Sequence, residues 1–442
     1  MTQQSSTTSF LVAPLVPTLV PKLWRVVQMN KQELIQLGKK AKKASFQSAG
    51  LSTTIKNDIL KQFAKSIVDK TDEILAANQK DLQNPQIEAK FIDRLKLDKK
   101  RISDMANGLI QLVGLADPTA KIDGGWETED GLRIVKQRVP LGVVGIIYEA
   151  RPNVTIDAAG LCFKSGNAVI LRGGKESINS NVILTDILRD VLKQNGLDAN
   201  MIQVIDDPSH ELAQSFMELN DYVDVLIPRG SARLIQTVLN NATVPVIETG
   251  AGNCHIYVDK DADKQMARNI IINGKVQRPS VCNATEKVLI HKDVANNYLS
   301  DIISDLRERG VEVRGDEATR SIVDDVIPAT TEDWDTEYNA LIISIKVVDS
   351  RQAAIDHINE HGTHHSEVIV SNDYAAGVSF QQQVDAACVY VNASSRFTDG
   401  FEFGFGAEIG ISTQKPHARG PMGLEALTSY KYVINGDGQT RK

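Results

Sequence analysis

Cysteine is scarce in this sequence, and the cysteines that occur lie far apart. The 442 residues include four cysteines, and no two of them form a Cys-x-x-Cys pair. This distribution argues against a disulfide framework and against a zinc ribbon. It is typical of a protein in a reducing compartment, so we expect a cytoplasmic location. The four positions are Cys162, Cys254, Cys282 and Cys388.

Long apolar runs and clusters of positive charge are also absent. No run has the roughly 20 apolar residues that a membrane-spanning helix needs. The most apolar stretch, residues 9–24, is interrupted by Pro14, Pro17 and Pro21 and lacks the basic start of a signal peptide. The net charge is −7 and basic residues form no block. Neither nucleic acid nor a membrane is therefore an expected partner.

The first 29 residues differ from the rest of the chain because they contain no acidic residue and are rich in Ser, Thr and Pro. We interpret residues 1–29 as a disordered extension. Translation from Met29 is an equally good interpretation. Residues 30–116 have a helical pattern, in which Ile55, Ile59 and Phe63 recur every four residues. Residues 121–139 predict a hairpin arm, with Gly124-Gly125 and Asp130-Gly131 as turns.

From Leu141 onward, strand-like runs alternate with helix-like runs. Strands are predicted at residues 141–148, 168–171, 201–205, 223–227 and 244–247, with helices between them. A second block begins near His255 and continues through strands at 287–291, 341–348 and 367–371, with a helix at 351–360. Such alternation predicts α/β units with parallel sheets covered on both faces. Ligands bind at the carboxyl ends of such strands.

Cys282 is the first candidate for chemistry. It follows an Arg-Pro-Ser turn on a loop between a predicted helix and a predicted strand, with Arg278 four residues before it. A nearby cation lowers the pKa of a thiol, and the thiolate is the nucleophile. On residue type alone, a buried structural cysteine is the better interpretation.

Two glycine loops are candidates for a phosphate-bearing ligand. Arg172-Gly173-Gly174-Lys175 follows one strand, and Gly230-Ser231 opens a helix after another. Glycines admit a ligand close to the backbone, and a helix N-terminus attracts anions. A plain glycine turn and an ordinary serine N-cap are the alternatives. Neither loop has the standard dinucleotide or P-loop spacing, but together they favour a dinucleotide.

Asn153 and a group of histidines complete the candidates. Asn153 follows a strand, where its amide can donate to an oxyanion or can serve a turn. His357 and His361 share a helix face but lack the zincin pattern, so we expect a packed, hydrogen-bonded cluster without a metal.

Taken together, these motifs resemble the aldehyde dehydrogenase superfamily from Met29 onward. Within it, the chain is similar to the gamma-glutamyl phosphate reductases, whose histidine-rich signature is filled at every position. Segments 248–259, 278–284 and 391–411 are also typical of these enzymes. The signature residues here are Val348, Ala354-Ile355, His357-Ile358, His361-Gly362-Thr363, His365-Ser366-Glu367 and Ile369.

The resemblance implies a role for each candidate residue. Cys282 would be the nucleophile, and Asn153 with the Cys282 N–H would form the oxyanion site. Gly230 and Ser231 would bind the cofactor pyrophosphate, and Glu337 would orient the nicotinamide ribose. Glu248 matches the general base of oxidising relatives, a role that a reductase must avoid.

The resemblance also bears on the cofactor and the substrate. Many NAD-dependent relatives carry a glutamate where this chain has Lys175, and a cation there suits a 2′-phosphate. We therefore expect NADPH, with Arg172 and Lys175 as further cofactor-binding residues. The expected substrate carries a phosphate and a carboxylate, so the candidates for substrate binding are Arg278, Arg151 and Arg396.

The implied fold is α/β and aldehyde dehydrogenase-like, with two doubly wound α/β domains and a small β oligomerisation arm. Residues 30–253 would form the NADPH-binding domain, with the hairpin 121–140 inserted, and residues 254–386 the catalytic domain. Residues 387–442 would return to the cofactor domain and end in a C-terminal oligomerisation segment. A homo-oligomer is expected. Association with glutamate 5-kinase stays open.

The implied activity is NADPH-dependent reduction of L-glutamyl 5-phosphate to L-glutamate 5-semialdehyde through a cysteine thioester. This is the second step of proline biosynthesis from glutamate. Two alternatives remain at this point. One is an oxidising aldehyde dehydrogenase, in which water takes the thioester. The other is a non-catalytic scaffold in which Cys282 is merely packed.

Overall fold

The computed structural model describes residues 29–84 and 89–441. Residues 1–28 of the predicted extension lie outside the described residues. Met29 is described, and its backbone N–H donates to Asp207 Oδ2 at 3.0 Å. The chain forms two parallel sheets covered by helices and a small antiparallel arm, which confirms the predicted fold class.

The helices are α1 (Lys31–Ala49), α2 (Thr53–Asp69), α3 (Thr71–Leu82), α4 (Ala89–Leu95), α5 (Lys99–Gly114), α6 (Pro152–Lys164), α7 (Ile178–Gln194), α8 (His210–Met217), α9 (Ala232–Asn241), α10 (Lys264–Val276), α11 (Lys292–Arg307), α12 (Glu317–Ile322), α13 (Arg351–His361) and α14 (Tyr374–Gln383). The strands are β1 (Ile122–Glu127), β2 (Arg133–Pro140), β3 (Val143–Tyr148), β4 (Ala168–Arg172), β5 (Ile202–Val204), β6 (Val225–Arg229), β7 (Cys254–Val258), β8 (Thr285–His291), β9 (Glu312–Gly315), β10 (Ile327–Pro328), β11 (Ile342–Val348), β12 (Ser366–Val370), β13 (Cys388–Val391), β14 (Ile411–Ser412), β15 (Gly420–Pro421) and β16 (Thr428–Asn435).

The first sheet has the strand order β5-β4-β3-β6, and its strands are parallel. All six residues of β3 are buried, because helices cover both faces of the sheet. One face packs against α2, α5, α6 and α7. The other packs against α1 and α8. The carboxyl ends of β4, β3 and β6 are therefore neighbours at one edge.

The predicted strand at 244–247 is wrong as a full strand. It is reduced to one parallel bridge between Val246 and Leu226. Leu226 N–H donates to the Pro245 carbonyl, and Ile247 N–H donates back to Leu226. Pro245 has no N–H to donate, so the ladder does not extend further.

The second sheet has seven parallel strands in the order β10-β9-β11-β8-β7-β12-β13. It begins at Cys254, and α10 and α11 cover one face while α13 and α14 cover the other. The predicted end of this unit at residue 386 needs a correction. Cys388 pairs with Ser366, so the sheet continues through Val391 before the chain returns toward the first sheet.

The arm consists of β1, β2 and β16, with β2 in the centre. The predicted hairpin is present, and the C-terminal segment joins it as a third antiparallel strand. Gly124 and Gly125 do not form the predicted turn, since both lie within β1 beside a register shift. A Cβ at Gly125 would lie 2.9 Å from the Ile134 carbonyl oxygen, which explains a glycine inside this strand.

Within residues 29–84 and 89–441, no helix combines the length and the apolar character required to cross a membrane.

A buried ion pair joins α10 to β8. Lys275 and Glu286 have fully buried side chains, and Nζ and Oε2 are 2.7 Å apart. Burial raises the pKa of Glu286 to about 7, although Lys275 acts in the opposite direction.

We predict that Lys275→Met lowers the free energy of unfolding by about 3–5 kcal/mol, because it leaves the buried Glu286 carboxyl without its partner. The pKa of Glu286 then rises further above its unfolded value. Stability is consequently lost as pH rises, and the deficit grows above about pH 7. Urea unfolding at about pH 6 and about pH 8.5 measures both effects.

The matched control for this prediction lies on the same helix. Lys264 pairs with Asp301 at 2.5 Å, but both side chains are more than a third exposed. Lys264→Met should cost less than about 1 kcal/mol at either pH. Equal losses of unfolding free energy in the two variants would contradict a larger contribution of the buried pair to stability.

Candidate active site

Cys282 lies on the short loop between α10 and β8. The Ala284 N–H donates to the Val281 carbonyl at 3.0 Å and closes this loop into a turn. Asn283 Nδ2 donates to the Thr398 carbonyl at 2.8 Å. The segment that follows β13 is therefore fastened to the loop that carries the thiol, although Thr398 is more than a hundred residues away in sequence.

A glycine loop packs directly against Cys282. A Cβ built on Gly252 would lie 1.4 Å from the Cys282 carbonyl oxygen, so only glycine is accommodated here. The Gly252 N–H donates to Glu337 Oε1 at 2.9 Å. Cys254 Sγ also donates to the Cys282 carbonyl, at 3.2 Å. The start of β7 thus sets the backbone of Cys282 and places the Glu337 carboxylate beside it.

The histidine-rich signature supports the start of β7. The Asn253 N–H donates to Thr363 Oγ1 at 2.9 Å, and its side-chain Nδ2 donates to the His361 carbonyl at 2.8 Å. The His255 N–H donates to Glu367 Oε2 at 2.8 Å. These residues therefore hold the start of β7, and Gly252, which precedes β7, contacts the loop that carries Cys282.

The histidines form the predicted packed cluster. The rings of His357 and His361 are 4.4 Å apart, and those of His255 and His357 are 5.7 Å apart. His361 Nδ1 and Asp335 Oδ1 are 2.8 Å apart. In the described part of the chain, no three His, Cys, Asp or Glu side chains come together in an arrangement that could hold a metal ion.

The electrostatic surroundings of Cys282 differ from the expectation. Burial of the sulfur raises the pKa of the Cys282 thiol to about 12. Arg229 acts against this, whereas Glu408 and Glu337 raise the pKa further. The cation with the largest effect on the thiol is therefore Arg229 and not the predicted Arg278. The physical reason is that the fold brings Arg229, at the end of β6 in the first sheet, within electrostatic range of the thiol, and sequence distance does not reveal this proximity.

The three arginines predicted to bind substrate share one region. Burial lowers the pKa of Arg151, and repulsion from Arg229 and Arg278 lowers it further. Burial and then Arg278 lower the pKa of Arg396. Arg396 Nε donates to Gln277 Oε1 at 2.9 Å, which orients its guanidinium. Arg278 thus repels both Arg151 and Arg396, and Arg229 also repels Arg151, an arrangement that an anionic ligand relieves.

Asn153 lies in the first turn of α6, not in a free turn. Its Nδ2 donates to Asp157 Oδ2 at 3.0 Å, one helical turn further on. Burial raises the pKa of Asp157 to about 6. The hydrogen bond orients the Asn153 amide, and no described hydrogen bond joins Asn153 to Cys282. The pairing of Asn153 with an oxyanion stays a prediction.

The two glycine loops meet where expected, at the carboxyl ends of β4 and β6 on either side of β3. Lys175 is exposed beside this edge. The Arg172 side chain has a hydrogen-bond partner, because its Nη2 donates to the Pro208 carbonyl at 2.9 Å. This hydrogen bond stabilises the turn that precedes α8.

Ser231 is the N-cap of α9, since its Oγ accepts the Leu234 N–H at 3.4 Å. Sequence analysis missed its second partner, Glu149. Glu149 Oε1 accepts the Ser231 hydroxyl at 2.6 Å, and Oε2 accepts the Ser231 N–H at 3.0 Å. Gly230 is necessary for this contact, because a Cβ there would lie 2.7 Å from the Glu149 carboxyl carbon.

Comparison with known proteins decides the family. The model of the aldehyde dehydrogenase family matches residues 5–321. The gamma-glutamyl phosphate reductase of Lactiplantibacillus plantarum is 66% identical over 409 residues, covering 92% of this chain and 99% of that protein. The chain belongs to the gamma-glutamyl phosphate reductase family. The corresponding enzyme of Ligilactobacillus salivarius is 61% identical over 412 residues, with 93% and 99% of the two chains covered.

A solved structure agrees with this assignment. The gamma-glutamyl phosphate reductase from Thermotoga maritima has 46% sequence identity and a TM-score of 0.91, covering 93% of this chain and all of that one. Membership of this family confirms the resemblance and the fold. The roles of individual residues in this member of the family stay proposals.

Arg229 and Glu408 are the residues at the thiol that sequence reasoning missed. Arg229 stood in the glycine loop next to Gly230, and its position at the carboxyl end of a predicted strand was an available signal. Glu408 has no such signal, because it lies in an irregular segment, where its Oε2 accepts the Gly400 N–H at 2.9 Å.

We predict that Gly252→Ala abolishes most activity in a folded protein, since the added methyl group displaces the Cys282 carbonyl. A loss of about 100-fold or more in kcat is expected, as small displacements of reacting groups cost this much. The matched control is Gly114→Ala, where a Cβ meets nothing within 4 Å. Full activity in Gly252→Ala would disprove the importance of this contact.

Proposed function

We propose that this protein reduces L-glutamyl 5-phosphate to L-glutamate 5-semialdehyde and phosphate with NADPH, the second step of proline biosynthesis from glutamate. The observation that carries the proposal is a set of guanidinium groups that repel one another in pairs, of which Arg229 acts on the Cys282 thiol and Arg396 interacts electrostatically with it. No side-chain hydrogen bond to a described residue involves Arg151, Arg229 or Arg278. Their guanidinium N–H groups are therefore available to a phosphate and a carboxylate.

In the first step, Cys282 Sγ attacks the acyl carbon of the substrate. The S–C bond forms, the C–O bond to the phosphoryl group breaks, and the electron pair leaves with phosphate. We assign the thiol proton to the departing phosphate. The pKa of the Cys282 thiol is about 12 before substrate binds, so the thiol still carries its proton at neutral pH. Because the departing phosphate takes that proton, no separate base is needed.

The oxyanion that develops on the acyl carbon needs donors that are already oriented. The Cys282 N–H is one, and its position depends on the Gly252 contact. The second is Asn153 Nδ2. An amide nitrogen carries two hydrogens, and Asp157 accepts only one of them. The other is free for the oxyanion.

NADPH, when bound, supplies the hydride that reduces the thioester. Its pyrophosphate would be held at the N-terminus of α9, where the N–H groups of Ala232 and Arg233 have no intrahelical acceptor. In the free protein the Glu149 carboxylate accepts from Ser231 beside Gly230. The pyrophosphate would displace this carboxylate, because two anions at one helix terminus repel each other. Lys175 and Arg172 would hold the adenosine end, and Glu337 the nicotinamide ribose.

Glu248 does not serve as a base against the thioester in this proposal. Its described hydrogen bond runs from its backbone N–H to Gln414 Oε1, at 2.9 Å. The carboxylates with the largest effects on the thiol are Glu408 and Glu337. This arrangement suits a reductase, in which water must not take the acyl group.

We also propose a homo-oligomer that forms through the arm. Its outer strands, β1 and β16, expose Trp126, Tyr432 and Ile434, each more than half exposed. Open strand edges with apolar side chains pair readily with a second chain. Association with glutamate 5-kinase stays an open prediction.

The direction of acyl transfer is tested by the reverse reaction. Oxidation of L-glutamate 5-semialdehyde should require phosphate or arsenate, because only an oxyanion of this kind takes the acyl group from Cys282. The assay follows NADPH formation with and without either anion. Oxidation that is equally fast without both would favour an oxidising aldehyde dehydrogenase. Full turnover by Cys282→Ala would favour a non-catalytic cysteine.

Cofactor preference is tested at Lys175. Lys175→Glu should reduce kcat/KM for NADPH by about 10- to 100-fold, through loss of a charge-assisted contact and repulsion of the 2′-phosphate. The kcat/KM for NADH should change much less, since NADH lacks that phosphate. Lys193→Glu is the control, because Lys193 is an exposed lysine at the far end of α7. Equal losses with both cofactors would refute the assignment.

A further inference from the structure

Arg229 is the last residue of β6, and its side chain packs against Gly410, in the segment that follows β13. A Cβ on Gly410 would lie 2.8 Å from Arg229 Nη1 and 3.3 Å from its Cζ, so a glycine is needed for this close approach. The same Gly410 position touches Thr249, at 2.7 Å from its Cγ2. Thr249 lies three residues before Gly252, which packs against the Cys282 carbonyl. Arg229 therefore lies among the segments that build the thiol site.

The Arg229 guanidinium has no bonded partner in the described part of the chain. None of the described ion pairs or side-chain hydrogen bonds uses it as a donor, although Glu408 and Asp157 are close enough to interact electrostatically. Its backbone carbonyl, by contrast, is held by the Glu149 N–H at 3.2 Å. The side chain is thus oriented by packing while its donors remain free for a ligand.

The position of the phosphate follows from the approach of the sulfur to the acyl carbon. Sulfur and acyl carbon approach to about 3–3.5 Å before reaction, and the phosphoryl group is one oxygen away from that carbon. The phosphate must therefore be bound by a cation close to the sulfur. Among the site's arginines, Arg229 has the largest lowering effect on the pKa of the Cys282 thiol.

The opposite end of the substrate fits a separate cavity. A cavity of about 200 Å³ beside the Cys282 loop is lined by Arg396 together with Asp399 and Glu402. It offers a guanidinium to a carboxylate and carboxylates to an ammonium group. A zwitterionic amino-acid end fits this mixture of charges.

We propose that Arg229 binds the phosphoryl group of the acyl phosphate, while Arg396 binds the amino-acid carboxylate. This inference rests on the proposed function and adds the direction in which the substrate lies. Arg229 would hold the phosphate as the C–O bond breaks. In the reverse direction it would hold the inorganic phosphate that attacks the thioester.

The reverse reaction separates the two subsites, because phosphate and L-glutamate 5-semialdehyde are then independent substrates. Arg229→Gln should raise the KM for phosphate, and for arsenate, by about 10- to 100-fold. The KM for the semialdehyde should change by less than about threefold. Arg396→Gln is the matched control and should show the opposite pattern. Arg229→Lys should recover part of the phosphate affinity, because a point charge remains without the planar fork.

Each other outcome overturns the assignment. An unchanged KM for phosphate in Arg229→Gln would place the phosphate on another arginine. If Arg229→Gln raises the KM for NADP⁺ and leaves the KM for phosphate unchanged, Arg229 binds the cofactor. Circular dichroism and the thermal midpoint confirm that each variant is folded. Wild-type protein that oxidises the semialdehyde without phosphate would instead refute the proposed function, and this result is distinguishable from a failure of Arg229 alone.

Discussion

The site depends on one contact, the packing of Gly252 against the Cys282 carbonyl. No side chain fits between these two segments, so the two loops lie as close as backbones can. The contact couples the start of β7 to the cysteine loop and brings the Glu337 carboxylate to the Gly252 N–H. The histidine-rich signature acts through the same contact, because Asn253 and His255 are anchored by its members. A motif without direct access to the thiol can thus control its position.

Charge is distributed around this contact in an unusual way. Guanidinium groups repel one another near a thiol whose own pKa is raised by burial. Such an arrangement costs folding free energy in the free protein, and an anionic substrate offsets that cost on binding. Binding of an anion in this region would therefore gain from repulsion that is already present in the free protein.

Much of the fold was predictable from local pattern. The alternation of buried strands and amphipathic helices predicted two parallel sheets, and the hairpin was visible from its turn at Asp130-Gly131. The errors have local physical causes as well. Pro245 reduces a predicted strand to one bridge, and Gly124-Gly125 lies within β1, where the Ile134 carbonyl leaves no room for a Cβ on Gly125. The end of the second sheet was misplaced because pairing of β13 with β12 is a long-range event.

The sequence by itself determined the family, the two sheets and the candidate nucleophile Cys282, because those follow from residue order, periodicity and motif spacing. Only the tertiary structure decided which groups surround that nucleophile. Arg229 and Glu408 act on its pKa from segments far away in sequence, and Glu149 accepts from Ser231 at the start of α9 in the free protein. Burial, which raises the pKa of the thiol, likewise exists only once both sheets have closed around it. Electrostatics and desolvation depend on distance in space, and residue order does not specify that distance.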